Sequence, residues 1–362
     1  MFLNRRKLPS KSTTQHNARK SLARRSLAFI VFVILGFLFT SHGKLFRLLQ
    51  QEERIDIKVS SACTVLPKIR PSGSIFFRDQ KCKRAKSKDG IVPEFNFGSF
   101  IEPKRVTHHM TGDLPSFQLI REYHERHSGA TSAALDVGAN QGFFTYFLAS
   151  LGLEVHSFEI NKENFVALQH GIIFNAPEVS DRVNLYSMGL SDKEGRQGIQ
   201  GGSYEGFLKN SDDGEILSTS FDCFAHHTQL LSMKELSFVK IDVEGFEIKV
   251  LEGAKQSLFA PNVRIGSLLM EVGPSRWSRS GVTLEEGVAA MLDLSTHFKE
   301  SYVMFRKGDT CPGAKLKDML SASSPHRTLF DVEIYKVRPS EWNKLLTQMN
   351  ALKSDCNFWY TN

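Results

Sequence analysis

From residue 91 onward, short apolar runs alternate with longer segments in which apolar residues recur every three or four positions. The short runs predict strands, and the periodic segments predict helices. The predicted strands are 133–137, 155–159, 183–188, 238–242, 265–271, 301–306 and 330–337, and the predicted helices are 114–127, 143–151, 163–174, 247–259 and 283–298. This alternation is typical of a parallel sheet with helices on both faces. We therefore expect an α/β fold with a doubly wound, Rossmann-like sheet of seven strands.

Charge is distributed very unevenly along the 362 residues. The formal net charge is +7, but residues 1–25 alone carry eight Lys or Arg and no acid. From Asp89 onward there are 26 bases and 35 acids, which gives a net charge of −9. A nucleic-acid enzyme usually carries its basic surface near the active site. The acidic character of the sheet region therefore argues against a nucleic-acid partner.

An apolar run over residues 27–40 follows the basic segment closely. Fourteen helical residues span about 21 Å, short of a hydrocarbon core of about 30 Å, whereas residues 26–49 are long enough. The positive flank favours a single-pass type II signal anchor, with the sheet region facing the lumen of the Golgi or endoplasmic reticulum. A cleaved signal peptide ending near residues 41–43, which would give a secreted protein, and an organelle transit peptide are the alternatives.

These features divide the chain into five parts. They are a basic cytosolic tail (1–25), a transmembrane signal anchor (26–49), a stem or linker (50–90), the sheet domain (91–340), and a C-terminal helix and tail (341–362). The chain has five cysteines and no C-x-x-C spacing, so a zinc site is not expected. In an oxidising lumen, Cys63–Cys82 and Cys311–Cys356 are candidate disulfides, with Cys223 left as a buried thiol.

The most informative stretch is 135–142, Leu-Asp-Val-Gly-Ala-Asn-Gln-Gly. Its apolar strand carries Asp136 near the end, and a turn with Gly138 and Gly142 opens the next helix. The following strand ends in Glu159, at the spacing of an acid that binds ribose hydroxyls. The dinucleotide fingerprint G-x-G-x-x-G is missing, because the two glycines are spaced G-x-x-x-G. An acid before the turn favours a nucleoside with a cationic amine and no pyrophosphate, so we predict S-adenosylmethionine as the cofactor.

Further contacts to this cofactor are expected at the carboxyl ends of the strands, where ligands of such sheets bind. Asn140 in the turn can donate and accept hydrogen bonds, and the next helix directs its free N–H groups toward the pocket. Leu190 and Ser191, after the third strand, are expected beside the adenine. The predicted cofactor-binding residues are Asp136, Gly138, Asn140, Gly142, Phe143, Glu159, Ile160, Leu190, Ser191 and Asp242.

Three acids near strand ends are the candidate catalytic residues, namely Asp242, Glu244 and Glu271. Methyl transfer from a sulfonium mainly needs alignment of the reacting atoms, and an alcohol acceptor also needs a base. We expect Asp242 to contact the donor's amino group and the reacting centre, and Glu271 is the better candidate for the base. Asp242 could instead bind Mg²⁺. The sequence offers no convincing partner ligands, so no metal is expected.

Three motifs occur in order along this region. They are Asp-Val-Gly-Ala-Asn-x-Gly, Phe-Glu-x-Asn-x-Glu-Asn-Phe and Lys-Ile-Asp-Val-Glu-Gly-x-Glu-x-x-Val-Leu-x-Gly-Ala. Over residues 130–275 the chain thereby resembles the FkbM-type methyltransferase family. The resemblance implies a Rossmann-like methyltransferase sheet and an S-adenosylmethionine-dependent O-methyltransferase that acts on sugars, polyketide-type products or small acids. The N-terminal segment lies outside the shared region and inherits nothing from it.

Two features outside these motifs have open interpretations. Histidines cluster before the first predicted strand, at His108, His109, His124 and His127. They could include an acceptor-side base, but ordinary exposed positions are the favoured interpretation. The segment 192–217 is long for a connection and rich in Gly, Ser, Asp and Lys, so it is either a lid over the acceptor or a plain surface loop.

Together these features predict a membrane-anchored methyltransferase that methylates a hydroxyl of a glycan, a glycolipid or a small metabolite, and no nucleic-acid partner is expected. Its expected partners are S-adenosylmethionine, that acceptor, and the membrane through residues 26–49. One alternative is a protein or small-metabolite methyltransferase in an organelle or the cytosol. The other is a non-catalytic S-adenosylmethionine-binding or scaffold protein.

Overall fold

The computed structural model describes residues 83–98, 103–127, 132–201, 206–209, 214–228, 230, 235–259, 263–306 and 311–362. The predicted tail, the predicted anchor at 26–49 and most of the predicted stem lie outside these residues. Within the described ranges, no helix is both long enough and apolar enough to cross a membrane.

The strands of the described chain form one large sheet and two small ones. In chain order they are β1 (Lys83–Ala85), β2 (Phe95–Phe97), β3 (Ser132–Val137), β4 (Glu154–Phe158), β5 (Val183–Tyr186), β6 (Gly189–Leu190), β7 (Gly195–Gln200), β8 (Phe207–Lys209), β9 (Ile216–Thr219), β10 (Glu235–Ile241), β11 (Ile265–Val272), β12 (Glu300–Arg306), β13 (Arg327–Leu329), β14 (Val332–Lys336) and β15 (Cys356–Thr361). The large sheet has nine strands in the order β13-β14-β12-β15-β11-β10-β3-β4-β5.

Helices cover both faces of the large sheet. The α-helices are Pro103–Gly112, Leu114–His127, Phe143–Ser150, Lys162–Phe174, Pro177–Ser180, Phe221–Thr228, Glu247–Glu252, Leu284–Thr296, Gly313–Leu316 and Trp342–Leu352, and the 3-10 helices are Pro274–Ser280, Lys317–Met319 and Pro339–Glu341. Successive side chains of β10 enter different apolar cores, because Phe238 packs in one cluster and Val239 in the other. A strand that is buried on both faces belongs to a sheet with helices on both sides. The predicted α/β architecture is confirmed.

The prediction of seven strands is wrong, because the sheet has nine and is mixed. β5, β4, β3, β10 and β11 are parallel neighbours, but β15 lies antiparallel between β11 and β12. Residues 341–362, predicted as a helix and tail, therefore include a central strand in which Phe358 and Tyr360 are fully buried. Their aromatic side chains suit a buried strand. No sequence pattern in this segment indicated that it returns to the middle of the sheet.

The folded domain also begins before the predicted boundary at residue 91. β1, in the range assigned to the stem, pairs antiparallel with β2. The ring of Phe97 in β2 lies 4.7 Å from that of Phe143 and 5.5 Å from that of Tyr146, measured between centroids. Aromatic contacts of this kind contribute to stability beyond the area that they bury. Residues 83–97 are thereby part of the domain.

Much of the segment 192–217 is neither an irregular lid nor a loop. Its described residues contribute to a four-stranded sheet in the order β6-β9-β7-β8. Leu208 and Leu217 are buried, so the segment has apolar positions that bind it to the domain. Residues 202–205 and 210–213 lie outside the described chain.

One of the predicted disulfides is confirmed. Cys311 and Cys356 are bonded and close a loop with a sequence separation of 45. Cys223 is buried, as predicted, but it is disulfide-bonded, so its prediction as a free thiol is wrong. Cys63 and Cys82 lie outside the described residues.

Candidate functional site

The carboxyl ends of β3 and β10 meet at Gly138. This residue has a φ of 81°, in the left-handed region that favours glycine. A Cβ atom at position 138 would lie only 1.8 Å from the carbonyl oxygen of Asp242. Glycine is therefore required here both for the backbone conformation and for the close approach of the two strand ends.

A cleft of about 630 Å³, including its open mouth, lies at this edge of the sheet; we call it the smaller cleft. Seven of the predicted site residues line it, namely Gly138, Asn140, Glu159, Ile160, Leu190, Asp242 and Glu244. Residues that were not predicted also line it, among them Asn161, Asn164, Met188, Leu208 and Phe246. The cleft thus combines carboxylates and amides with an apolar surface.

Glu159 is the most constrained acid of the smaller cleft. It is 5% exposed, and its Oε2 and Oε1 accept hydrogen bonds from the backbone N–H groups of Asn140 and Asn161, both at 2.6 Å. Burial raises the pKa of Glu159 to about 7, and the two backbone hydrogen bonds oppose this shift. Each carboxylate oxygen has a second lone pair. The group can therefore also accept hydrogen bonds from a diol.

The amide of Asn140 has an unused acceptor. Asn140 has a φ of 50°, which is uncommon for a residue other than glycine. Within the described part of the chain, its side-chain Oδ1 is buried and has no hydrogen-bond partner. Buried polar atoms are nearly always paired. An orphan acceptor at the edge of a cleft therefore indicates a place where a ligand donates a hydrogen bond.

Lys240 is a buried cation between two of the predicted acids. Its Nζ lies 3.7 Å from Asp136 Oδ1 and 3.3 Å from Asp242 Oδ2, and it donates to the carbonyl of Gly138 at 3.2 Å. Desolvation opposes the charged form, but the carboxylates of Asp242 and Asp136 raise the pKa of Lys240 above its usual value. The hydroxyl of Thr145 donates to Asp136 Oδ2 at 2.6 Å. The buried carboxylate of Asp136 therefore helps to hold the Lys240 ammonium group in place.

A larger cleft, of about 1370 Å³ with its open mouth, adjoins the smaller one. Asn140 and Asp242 line both clefts, so the two meet at these residues. Phe143 and Phe144 contribute aromatic faces to the larger cleft. Its charged and polar lining residues include His108, His109, Asp113, Lys240, Glu271, Arg306, Asp355 and Asn357. Two ligands bound side by side in these clefts would be close enough to exchange a group.

Arg276 binds several carboxylates near this junction. Its guanidinium pairs with Glu244, and its Nη2 lies 2.9 Å from Glu271 Oε1. Its Nε donates to Asp355 Oδ1 at 2.8 Å. Desolvation, and then the charge of Asp242, raises the pKa of both Glu244 and Glu271, and Arg276 opposes the shift. The candidates Glu244 and Glu271 are thus members of one ion cluster.

Residues 136–298 match the family model described as the methyltransferase FkbM domain. The chain contains an FkbM-type methyltransferase domain. The match confirms the resemblance drawn from the three motifs, and with it the Rossmann-like methyltransferase fold and S-adenosylmethionine as the cofactor of this domain type. A comparison with curated protein sequences found no match.

Three solved structures to which the chain is similar are distant from it in sequence. The glycopeptide N-methyltransferase MtfA complexed with sinefungin is 16% identical, with a TM-score of 0.25, over 43% of this chain and 53% of that one. A SAM-dependent methyltransferase from Neisseria gonorrhoeae is 16% identical, with a TM-score of 0.26, over 43% and 57%. The N-terminal domain of human METTL16 in complex with SAH is 9% identical, with a TM-score of 0.32, over 68% and 69%. The chain spans about half the length of the first two.

Not every predicted residue of the FkbM-type domain lines the smaller cleft. Asp136 is fully buried behind Lys240, and Ser191 is 1% exposed with its hydroxyl 3.1 Å from Asp192 Oδ1. Gly142 faces the core, since a Cβ there would lie 2.3 Å from a methyl carbon of Leu168. None of these three residues lines the smaller cleft. Two other predicted residues, Phe143 and Glu271, line the larger cleft instead.

The histidines divide between two places. His108 and His109 line the larger cleft of the FkbM-type domain, whereas His124 and His127 do not. His109 Nδ1 lies 2.7 Å from Asp113 Oδ2, and its ring stacks on Phe143 with centroids 4.1 Å apart. His109 is therefore held in place beside the larger cleft, where the alternative prediction of an acceptor-side base stays open.

Lys240 and Arg276 were not predicted as site residues. A signal for Lys240 was present, because a lysine in the apolar run Phe238–Ile241 is expected to need a buried partner. Arg276 lies in a short 3-10 helix after β11, and no motif marked it. Among the described residues, no group of three or more His, Cys, Asp or Glu is arranged to hold a metal ion.

Proposed function

We propose that this chain is an S-adenosylmethionine-dependent O-methyltransferase that binds its donor in the smaller cleft and a hydroxyl-bearing acceptor in the larger one. The observation that carries this proposal is the meeting of the two clefts at Asn140 and Asp242. Methyl transfer is efficient when the reacting atoms are held about 3–3.5 Å apart. Two clefts that share a wall are suited to that task.

The smaller cleft fits the donor in its chemistry. Glu159 can accept the two ribose hydroxyls, and Asn140 Oδ1 offers an unused acceptor. Leu190 and Leu208 give an apolar surface for the adenine, and the carboxylate of Asp242 suits the cationic amino group. When bound, S-adenosylmethionine supplies an electrophilic methyl group on a sulfonium.

The larger cleft suits a polar acceptor with a ring. Phe143 and Phe144 can pack against the apolar face of a sugar, while Asp355 and Asn357 can accept and donate hydrogen bonds at its edge. We therefore propose a glycan, a glycolipid or a small hydroxylated metabolite as the acceptor. An O–H acceptor needs a group that takes its proton, and the larger cleft contains titratable side chains for this role.

We also propose that residues 26–49 anchor the enzyme, with the catalytic domain in the lumen of the Golgi or endoplasmic reticulum. The Cys311–Cys356 disulfide supports an oxidising compartment. In sealed microsomes the domain should resist protease until detergent is added. Digestion without detergent would favour the organelle or cytosolic alternative.

Calorimetry with the full chain and S-adenosylmethionine tests the proposed function. Glu159→Ala should weaken binding about 10²-fold, since it removes charge-assisted hydrogen bonds. Glu163→Ala, an exposed acid four residues later, is the matched control and should bind normally. A panel of methyl glycosides and glycolipids with labelled donor then measures release of S-adenosylhomocysteine. Binding without any release would favour the non-catalytic alternative, and the absence of binding would contradict the proposal.

A further inference from the structure

The larger cleft contains a histidine–carboxylate pair on a rigid support. His109 lies near the end of the helix Pro103–Gly112, and Asp113 begins the turn to the next helix. The Nδ1–Oδ2 distance of 2.7 Å and the stacking of His109 on Phe143 fix the ring in two ways. About a quarter of each side chain is exposed. The pair is therefore held in place and still reachable from the cleft.

The carboxylates predicted as catalytic are already engaged by cations. Asp242 Oδ2 is 3.3 Å from Lys240 Nζ, and Glu271 Oε1 is 2.9 Å from Arg276 Nη2. Burial, and then the charge of Asp242, raises the pKa of Glu271. The contact of His109 with Asp113 uses Nδ1, so it leaves Nε2 of the same ring for another partner.

We propose that His109, oriented by Asp113, is the general base that takes the proton of the acceptor hydroxyl. This inference rests on the proposed function and assigns the base of the same site. A carboxylate that accepts the Nδ1–H bond selects the tautomer with a free lone pair on Nε2, and it stabilises the imidazolium that forms. His109 is then the catalytic residue, and Asp113 is a positioning residue.

The acceptor's O–H proton moves to His109 Nε2, while the acceptor oxygen forms a bond to the methyl carbon. The methyl carbon–sulfur bond breaks, and its electron pair stays on sulfur as the sulfonium becomes a neutral thioether. The imidazolium later returns its proton to water, so no oxidant, reductant or further reactant is needed.

Charged and titratable side chains surround His109 in the larger cleft. On its own helix and turn, His109 has His108 and Asp113 as neighbours. The other titratable or charged side chains that line the same cleft are Lys240, Asp242, Glu271, Arg306 and Asp355. Because this set contains both carboxylates and cations, substitution of His109 itself is needed to show which part of the pH–rate profile belongs to its imidazole.

The test uses the full chain and three variants, His109→Gln, Asp113→Asn and His127→Gln. His127 is a matched control, because its Nδ1 lies 2.8 Å from the carbonyl of Tyr123, four residues earlier, and its ring stacks on Tyr123 with centroids 4.1 Å apart. Like His109, it contacts a residue four positions away through Nδ1 and stacks on an aromatic ring. Unlike His109, it does not line the larger cleft. Its substitution should leave turnover unchanged.

With methyl glycosides as the probe acceptors, His109→Gln should lower kcat by about 10²–10⁴-fold, the usual contribution of a general base. S-adenosylmethionine should bind as tightly as before, and the acidic limb of the pH–rate profile should disappear. Asp113→Asn should give a smaller loss of kcat with the acidic limb displaced. A His109→Gln enzyme that keeps wild-type turnover and the acidic limb would overturn the proposal.

A second measurement needs no acceptor. Nitrogen NMR of the full chain labelled in histidine, with the His109 signal assigned by loss in His109→Gln, should show a proton on Nδ1 and none on Nε2. A wild-type signal with the proton on Nε2 would overturn the assignment of the base. Absence of turnover with every acceptor would instead contradict the proposed function, so the two failures are distinguishable.

Discussion

Replacing Gly138 by alanine perturbs the point where the ends of β3 and β10 meet. The first cost is conformational, because a non-glycine residue in the left-handed region is destabilised by about 1–2 kcal/mol. The second is steric. To move from 1.8 Å to the 3.0 Å below which real Cβ contacts essentially do not occur, the carbonyl of Asp242 has to retreat by about 1.2 Å.

The displacement of the Asp242 carbonyl directly changes the geometry of the candidate site. Asp242 lines both clefts, and the carbonyl of Gly138 accepts a hydrogen bond from Lys240 at 3.2 Å. A misplacement of about 1 Å can reduce an enzymatic rate about 10²-fold. We therefore expect Gly138→Ala to lose turnover by about this factor and to bind S-adenosylmethionine measurably more weakly.

Gly152→Ala separates the two costs. Gly152 has a φ of 89°, similar to Gly138, but a Cβ atom there would meet nothing within 4 Å. This variant should lose only about 1–2 kcal/mol of unfolding free energy and keep its affinity for the donor. Urea unfolding and calorimetry on both variants provide the assay. Equal losses of stability, with normal donor binding by Gly138→Ala, would refute the reasoning.

Three further predictions concern stability. Burial raises the pKa of Glu247 to about 7, so its stabilising contribution is complete below the usual glutamate pKa and is lost as the pH rises through 7. Glu247→Gln should therefore raise the unfolding free energy by up to about 3 kcal/mol at pH 8 and hardly at all near pH 4.5; an equal effect at both pH values in urea unfolding would contradict this. Lys240→Met leaves Asp136 buried without its cation and should cost about 3–5 kcal/mol in thermal unfolding, whereas adding Asp136→Asn should restore most of it; failure of that restoration would count against the pairing. Loss of the Cys311–Cys356 disulfide in Cys356→Ser should cost about 2–4 kcal/mol, measured by urea unfolding without reductant, and the difference between this variant and the wild type should largely disappear when dithiothreitol is added to both.

The alternation of apolar runs and periodic segments was sufficient to predict the parallel part of the sheet. In that part β3, β4 and β10 are each followed along the chain by a helix, so the alternation reveals the strands but not their order, in which β3 lies between β10 and β4. β15 was not predicted. Its residues, 356–361, pair with β11 on one side and with β12 on the other. No local sequence pattern shows that these two strands leave room for a third between them.

The position of the smaller cleft was predictable in part, because Gly138 and Glu159 stand at fixed spacings at the turn and the strand end and both line it. Asp136 has the expected position in the motif, but it is fully buried beside Lys240 and does not line that cleft. Arg276 and His109 lie outside these motifs, so only the fold shows that Arg276 binds carboxylates of the site and that His109 lines the larger cleft.

A crystal structure of the full chain with bound S-adenosylhomocysteine tests the central claim most directly. We expect its ribose hydroxyls at Glu159 and its sulfur at the junction beside Asn140 and Asp242, facing the larger cleft. A ribose bound away from Glu159, or a nucleoside that occupies the larger cleft beside His109, would contradict the account.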